Sequence, residues 1–184
     1  TPLYRGYKDV DDFIYSQPIR TDRRSLSGRH LPTLMFNMMF EEEFGFPRVR
    51  NQCAFLTNSY EHARGYGNPF FVFPINGSLF ASNPMFHDSV WPMGGLWHDF
   101  LSAIAPGCTK ADISTITDTI PTLDTATSTP EQWQQFIETL SPDAQHLAGE
   151  YWEKAKDDMF DDYVISGAKN IDKYAQEVEY MLYK

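Results

Sequence analysis

Two glutamates near the end of the chain, Glu177 and Glu179, have a spacing that could serve chemistry. The segment 177–183 alternates in polarity, which predicts a strand, and side chains on a strand repeat with a period of two. Both carboxylates should therefore project from one face, while Val178 and the even-numbered residues after it face the core. Paired carboxylates can stabilise a developing positive charge and accept a proton. The alternative is that they form the solvent face of an edge strand.

Arg5 lies near the start of the chain, in a segment Leu3-Tyr4-Arg5-Gly6-Tyr7 that also predicts a short strand. Its planar guanidinium offers a fork of donors that can bind phosphate or carboxylate oxygens, which Lys cannot copy. The alternative for Arg5 is a surface ion pair. A hydroxyl-bearing segment, Thr57-Asn58-Ser59, follows a predicted buried strand over 52–56 and precedes a predicted helix over 60–66.

In their order along the chain, these three segments resemble the signatures of the ADP-ribosyltransferase superfamily of the arginine–serine–glutamate type. The matching stretches are Leu3-Tyr4-Arg5-Gly6, Phe55-Leu56-Thr57-Asn58-Ser59 and Glu177-Val178-Glu179. The stretch Ala-Arg-Gly-Tyr-Gly over 63–67 also looks like the helix that follows the middle signature in that family. Asn58 departs from the family's Ser-Thr-Ser triplet. The resemblance covers roughly residues 1–83 and 165–184.

The resemblance implies an enzyme that transfers ADP-ribose from NAD to a macromolecular acceptor or to water, releasing nicotinamide. Glu177 or Glu179 would stabilise the positive charge that develops on the ribose, and the other would orient or deprotonate the acceptor. Arg5 would hold a phosphate or the ribose. Thr57 and Ser59 would brace the catalytic glutamate and the nicotinamide ribose. Which glutamate is catalytic stays open, because both the single-glutamate and the Glu-x-Glu forms of the motif fit.

The predicted NAD-binding residues come from the first two signatures and from an arginine-rich loop over 16–30. They are Arg5, Gly6, Thr57, Asn58, Ser59, Arg23 and Arg24. The loop arginines would clamp the NAD pyrophosphate or the acceptor, or else form a solvated loop. Several aromatic side chains could stack on nicotinamide or adenine, or else belong to the core: Tyr4, Tyr7, Tyr60 and Phe44.

No metal site is expected. His87-Asp88 and His98-Asp99 are separated by about three helical turns, so a continuous helix would align the two pairs. Pro92 and the Gly94-Gly95 pair should break such a helix.

The net charge of −10 is unevenly distributed. Residues 1–64 hold nine Lys/Arg against eight Asp/Glu, and the remaining 120 hold six against seventeen. Basic residues therefore cluster where a phosphate-bearing ligand could be held, whereas the acidic part disfavours duplex nucleic acid as the main partner. A protein acceptor is favoured and a nucleic acid acceptor stays open. The alternative function is a catalytically silent acidic protein on the same scaffold that binds or inhibits a host protein.

The composition also bears on the cellular setting. The chain has two cysteines, Cys53 and Cys108, which excludes a disulfide scaffold and fits a reducing cytosol. No apolar run approaches membrane-spanning length, so no membrane partner is expected. These features predict a cytoplasmic protein, in the host cytoplasm if the chain is encoded by a bacteriophage. The activity that the resemblance implies is compatible with a bacteriophage factor or a bacterial toxin.

The elements that must position these residues form an α+β pattern in a single domain over 1–184. The resemblance implies an ADP-ribosyltransferase-like split β-sheet core, with a helical insertion over about 85–163 before the last strand. Strand-like runs over 70–75 and 78–82 are joined by Asn76-Gly77, which predicts a hairpin. Pro74 argues for an edge position of the first run. Thr129 and Ser141 are predicted helix N-caps, each followed by Pro.

Overall fold

The computed structural model describes residues 2–8, 30–74, 77–84, 90–106, 129–167 and 179–183. The chain divides into two compact units. The first comprises residues 1–23, 49–89 and 162–184, and the second comprises 24–48 and 90–161. The described strands all lie in the first unit and the long helices in the second, which confirms the predicted α+β class.

The strands of the first unit are short. They are β1 (Tyr4–Tyr7), β2 (Ala54–Thr57), β3 (Asn68–Phe71), β4 (Leu79–Ser82), β5 (Val164–Gly167) and β6 (Glu179–Tyr183). Together they form one antiparallel sheet with the order β3-β1-β2-β6-β4-β5. The last strand of the chain therefore lies inside the sheet, between β2 and β4, and β3 and β5 form its edges.

A hydrophobic cluster of this unit lies on one face of the sheet. Its buried residues are Leu3, Ala54, Leu56, Phe80, Tyr180 and Leu182, with Val72 packed against them. Met181 follows Glu179 by two residues and therefore projects from the same face of β6 as that position, yet it is only 1% exposed. The prediction that just the even-numbered residues of the last strand face the core is therefore wrong, because an inner strand of this sheet is buried on both faces.

The helices have the following bounds: α1 (His30–Phe44), α2 (Val49–Gln52), α3 (Tyr60–Arg64), α4 (Val90–Ile104), α5 (Pro130–Thr139) and α6 (Pro142–Phe160). Helix α1 packs against α4 and α6 in the second unit, so this unit contains residues before the predicted insertion as well as most of it. Ring contacts of Phe160 with Phe36 and Phe40, at 5.2 and 5.4 Å between centroids, join α1 to α6. No helix in the described ranges is long and apolar enough to cross a membrane.

The two predicted N-caps are confirmed. Thr129 Oγ1 accepts a hydrogen bond from the Gln132 amide, and Gln132 Oε1 accepts one from the Thr129 amide, which completes a capping box. Ser141 Oγ accepts from the Ala144 amide at 3.3 Å. In both helices Pro occupies the first turn, where the missing N–H costs nothing.

The predicted break at Pro92 and Gly94-Gly95 is wrong, because α4 runs without interruption from Val90 to Ile104. Pro92 falls in the first turn, where an amide has no partner within the helix. The glycines cost helix propensity, but the buried side chains of Met93, Leu96 and Phe100 provide packing that outweighs it.

The predicted hairpin between residues 70–75 and 78–82 is also wrong. Gly77 does adopt a positive φ of 88°, as a turn residue would. However, β3 pairs with β1 at one edge, whereas β4 pairs with β6 and β5 at the other end of the sheet. The two runs therefore lie at different places in the same sheet, because β3 finds its partner in β1 and β4 finds its partners in β6 and β5. The edge position inferred from Pro74 is confirmed for β3.

A close approach between β1 and α3 depends on Gly6. A Cβ at this position would overlap the carbonyl oxygen of Ala63 and lie 2.9 Å from Tyr66 Cβ. Gly67, with φ of 140°, lets the chain after α3 pass equally close to the carbonyl of Tyr7. Gly6 of the first signature is therefore needed for the close packing of α3 on β1.

We expect Gly6→Ala to lower the free energy of unfolding by about 1–3 kcal/mol, because backbone must move to admit the methyl group. Gly149→Ala is the matched control: the site is helical and exposed with nothing near the added Cβ, and the change should stabilise by up to about 1 kcal/mol. Urea denaturation followed by circular dichroism measures both. An unaltered midpoint for Gly6→Ala would contradict the close packing.

Candidate functional site

The sheet brings the three signature segments onto neighbouring strands. Arg5 lies on β1, Thr57 ends β2, and Glu179 begins β6, and these three strands are consecutive in the sheet. Thr57 is the register partner of Tyr4 on one side and of Glu179 on the other. Tyr4 and Glu179, which lie near opposite ends of the chain, thus both pair directly with Thr57 in the sheet.

The alternative interpretation of the glutamates as the solvent face of an edge strand is wrong for β6, which has a hydrogen-bonded neighbour on each side. For Glu179, the structure defines the backbone position, which lies opposite Thr57 in the sheet. Glu177, Arg23 and Arg24 lie outside the described residues, so their predicted roles stay predictions.

Thr57 is 6% exposed, and its Oγ1 accepts a hydrogen bond from the Ser59 amide at 3.1 Å. This contact turns the chain sharply at the end of β2, in the manner of a hydroxyl-based turn. A hydroxyl carries one donor besides its acceptor sites. Thr57 can therefore hold the turn and still donate its proton to an acceptor across the ladder.

Ser59 is the N-cap of α3. Its Oγ accepts a hydrogen bond from the His62 amide at 3.1 Å, which satisfies one of the free amides of the first turn. Asn58 is half-buried in the turn between the two hydroxyl residues. The middle signature is thus a strand end followed by a helix cap, as its sequence predicts.

Arg5 lies on the other face of β1 from Tyr4 and Gly6, the two residues that contact α3. Its guanidinium carbon is 5.1 Å from the centre of the Tyr7 ring, a cation–π distance. The side chain is half-buried, and within the described residues no carboxylate forms an ion pair with it. The ladder therefore brings Thr57 and Glu179 into direct register on one face of the sheet, whereas Arg5 projects from the opposite face.

An aromatic surface borders this site on the side of β3. The Tyr4 ring is 5.7 Å from Tyr60 and 4.9 Å from Phe71, between centroids. Tyr60 is 49% exposed and Phe71 is 61% exposed. No sequence motif identified Phe71 as part of this surface. Its exposure follows from the position of β3 at the edge of the sheet. Phe44, in contrast, packs on Phe40 in the helical unit, 4.7 Å between ring centroids.

Of the two His-Asp pairs considered as a metal site, only His98-Asp99 is described, because His87 and Asp88 lie outside the described residues. His98 Nδ1 and Asp99 Oδ1 are 3.4 Å apart on α4, and both side chains are partly exposed. No group of three or more His, Cys, Asp or Glu within the described ranges could hold a metal ion.

Burial, together with the negative charge of Asp99, raises the pKa of the Tyr151 hydroxyl, which donates to the Leu96 carbonyl oxygen.

In comparisons with known proteins, no protein-family model, curated protein or solved structure matched this chain.

Ser59→Ala removes the N-cap of α3 and should lower the free energy of unfolding by about 1 kcal/mol. Ser59→Asp keeps an oxygen acceptor for the His62 amide and should retain most of the stability. Chemical denaturation gives the free energies, and hydrogen exchange at the His62 amide reports the bond itself. Equal exchange rates in wild type and Ser59→Ala would refute the cap.

Proposed function

We propose that this chain transfers ADP-ribose from NAD to an acceptor, with the site centred on Thr57 and Glu179. The observation that carries the proposal is the direct register of these two residues on adjacent inner strands, with the signature strand β1 on the other side of Thr57. The resemblance in sequence concerns three separate segments, and their adjacency in the sheet is an independent observation in its favour.

The chemistry requires a carboxylate held beside the reacting sugar. The bond between ribose C1′ and the nicotinamide nitrogen breaks, nicotinamide leaves with the electron pair, and positive charge develops on the ribose. A fixed carboxylate stabilises that charge, which is the type of electrostatic contribution that usually dominates. The acceptor then bonds to C1′ and loses its proton to a base. Glu179 and Glu177 supply the two carboxylates for these steps.

Thr57 fits the task of orienting the catalytic carboxylate. Its Oγ1 is already held by the Ser59 amide, so the direction of its remaining proton is restricted. A short, buried hydroxyl on an inner strand also loses little conformational entropy on binding. Such a group positions a neighbouring carboxylate without competing for the substrate.

The proposed role of Arg5 is to bind a phosphate of NAD. Its guanidinium is half-buried and has no carboxylate partner in the described part of the chain, so its donors remain for an anionic ligand. Arg5 and the pair Thr57–Glu179 project from opposite faces of the sheet, so the proposal requires the phosphates, which lie several bonds from C1′, to extend past the sheet to Arg5.

We expect Glu177→Gln/Glu179→Gln to reduce NAD consumption by about 10²–10³-fold or more, because the charge-stabilising carboxylates are lost. The control is Glu138→Gln/Glu150→Gln, which makes the same change of charge at exposed positions of α5 and α6. The assay is release of nicotinamide and transfer of label from NAD in a host lysate.

Full activity in the first double variant would overturn the assignment of the carboxylates. Absence of both turnover and a thermal shift with NAD in the wild-type chain would overturn the enzyme proposal. In that case recovery of a stoichiometric partner would favour the catalytically silent binding protein.

Arg5→Lys keeps the positive charge but loses the forked donors. We expect the KM for NAD to rise about 10-fold with a smaller change in kcat, because the lost contact concerns binding of a remote phosphate. Steady-state kinetics at several NAD concentrations separate the two constants. An unchanged KM would assign Arg5 to its packing over Tyr7 alone.

A further inference from the structure

The outer edge of β3 lacks the charges that usually protect an edge strand. From Gly65 to Phe86 the sequence contains no Asp, Glu, Lys or Arg, although such residues make up 22% of the chain. Phe71 is 61% exposed and Phe73 is 87% exposed on this edge. Natural proteins commonly place Lys or other charged residues on edge strands to prevent pairing with another chain.

The hydrogen-bond pattern identifies which backbone groups point outward. The Val72 amide donates to the Leu3 carbonyl at 2.9 Å, so Val72 and, by alternation, Phe70 direct their backbone groups toward β1. The backbone groups of Phe71 and Phe73 then face away from the sheet. Pro69 also faces outward, but it has no N–H to donate. The outward donors of this edge in the described segment 68–74 are thus those of Phe71 and Phe73.

We propose that this edge pairs with the same edge of a second copy of the chain. The segment Phe71-Val72-Phe73 reads identically in both directions, so two antiparallel copies meet with matching residues about a two-fold axis at Val72. Phe71 of each copy exchanges both backbone hydrogen bonds with Phe73 of the other. The two sheets become one continuous sheet across the axis.

Charge favours a second copy as the occupant. Two chains of net charge −10 repel each other in general, and an interface between them must avoid placing like charges opposite one another. The uncharged edge meets that condition. Across the axis each phenyl ring faces another phenyl ring, a favourable cross-strand pair that buries both exposed aromatics.

The size of the interface predicts a weak dimer. The exposed parts of Phe71 and Phe73 amount to about 300 Å² of aromatic surface per copy, given 150–250 Å² for each such side chain. A stable interface buries about 800 Å² per partner. Pro69 and Pro74 bracket the pairing segment and keep it short, so we expect a dissociation constant on the order of 10–100 μM.

Sedimentation velocity from about 1 to about 500 μM spans the affinity expected of so small an interface. The weight-average mass should rise from 21.2 kDa toward twice that value. Phe73→Lys should weaken association at least 10-fold by putting a charge on the edge, without disturbing the monomer, since the side chain is 87% exposed. Tyr66→Lys is the control, because Tyr66 is 56% exposed but lies outside the proposed pairing segment 71–73.

A disulfide trap tests the register. In a Cys108→Ser background, a mixture of Phe71→Cys and Phe73→Cys chains should form a mixed disulfide, because hydrogen-bonded antiparallel partners have Cα atoms about 5.5 Å apart. Either variant alone should cross-link much less. A monomer at every concentration, an effect of Phe73→Lys no larger than that of Tyr66→Lys, or equal cross-linking in the three samples would each overturn the proposal. These outcomes are independent of NAD turnover, so the proposed enzyme activity stands or falls separately.

Discussion

Insertion of β6 between β2 and β4 is the constraint on which the sheet unit depends. Without the last five-residue strand, the sheet would divide in two, and β2 and β4 would each have an open edge with unsatisfied hydrogen-bonding groups. Tyr180, Met181 and Leu182 also fill the centre of the unit, each 7% exposed or less. Residues separated by more than a hundred positions must therefore meet before the core is complete, and the same insertion puts Glu179 beside Thr57.

Close packing around the middle signature follows from this arrangement. Gly6 admits α3 onto β1, and the Thr57 and Ser59 hydroxyls end the strand and begin the helix in consecutive hydrogen bonds. Each signature residue in the described part thus has a structural task that is compatible with the proposed chemical one. A rigid turn of this kind is what a carboxylate site requires, because electrostatic stabilisation depends on groups that do not have to reorganise.

The proposed site and the proposed pairing edge use different features of β3 and its neighbours. The site draws on inner strands, where Thr57 has a register partner on each side. The pairing edge draws on the outermost strand and the residues just after it, where outward backbone groups have no neighbour among the described residues and two phenyl rings are exposed. Inner strands suit precise positioning, whereas an edge strand suits association with another chain.

Much of the local structure could be predicted from the sequence. The α+β class, strand β1, helix α3 and the caps at Thr129 and Ser141 depend on periodicity and on hydrogen bonds between residues at most four apart. The errors concern long-range partners: the Asn76-Gly77 hairpin does not form, α4 continues past Pro92, and Met181 is buried. For the candidate site, chain order suggested its members, but only pairing in the sheet decided that Thr57 opposes Glu179 and that Arg5 lies on the other face. Register depends on which strands bury each other, and no local pattern records that choice.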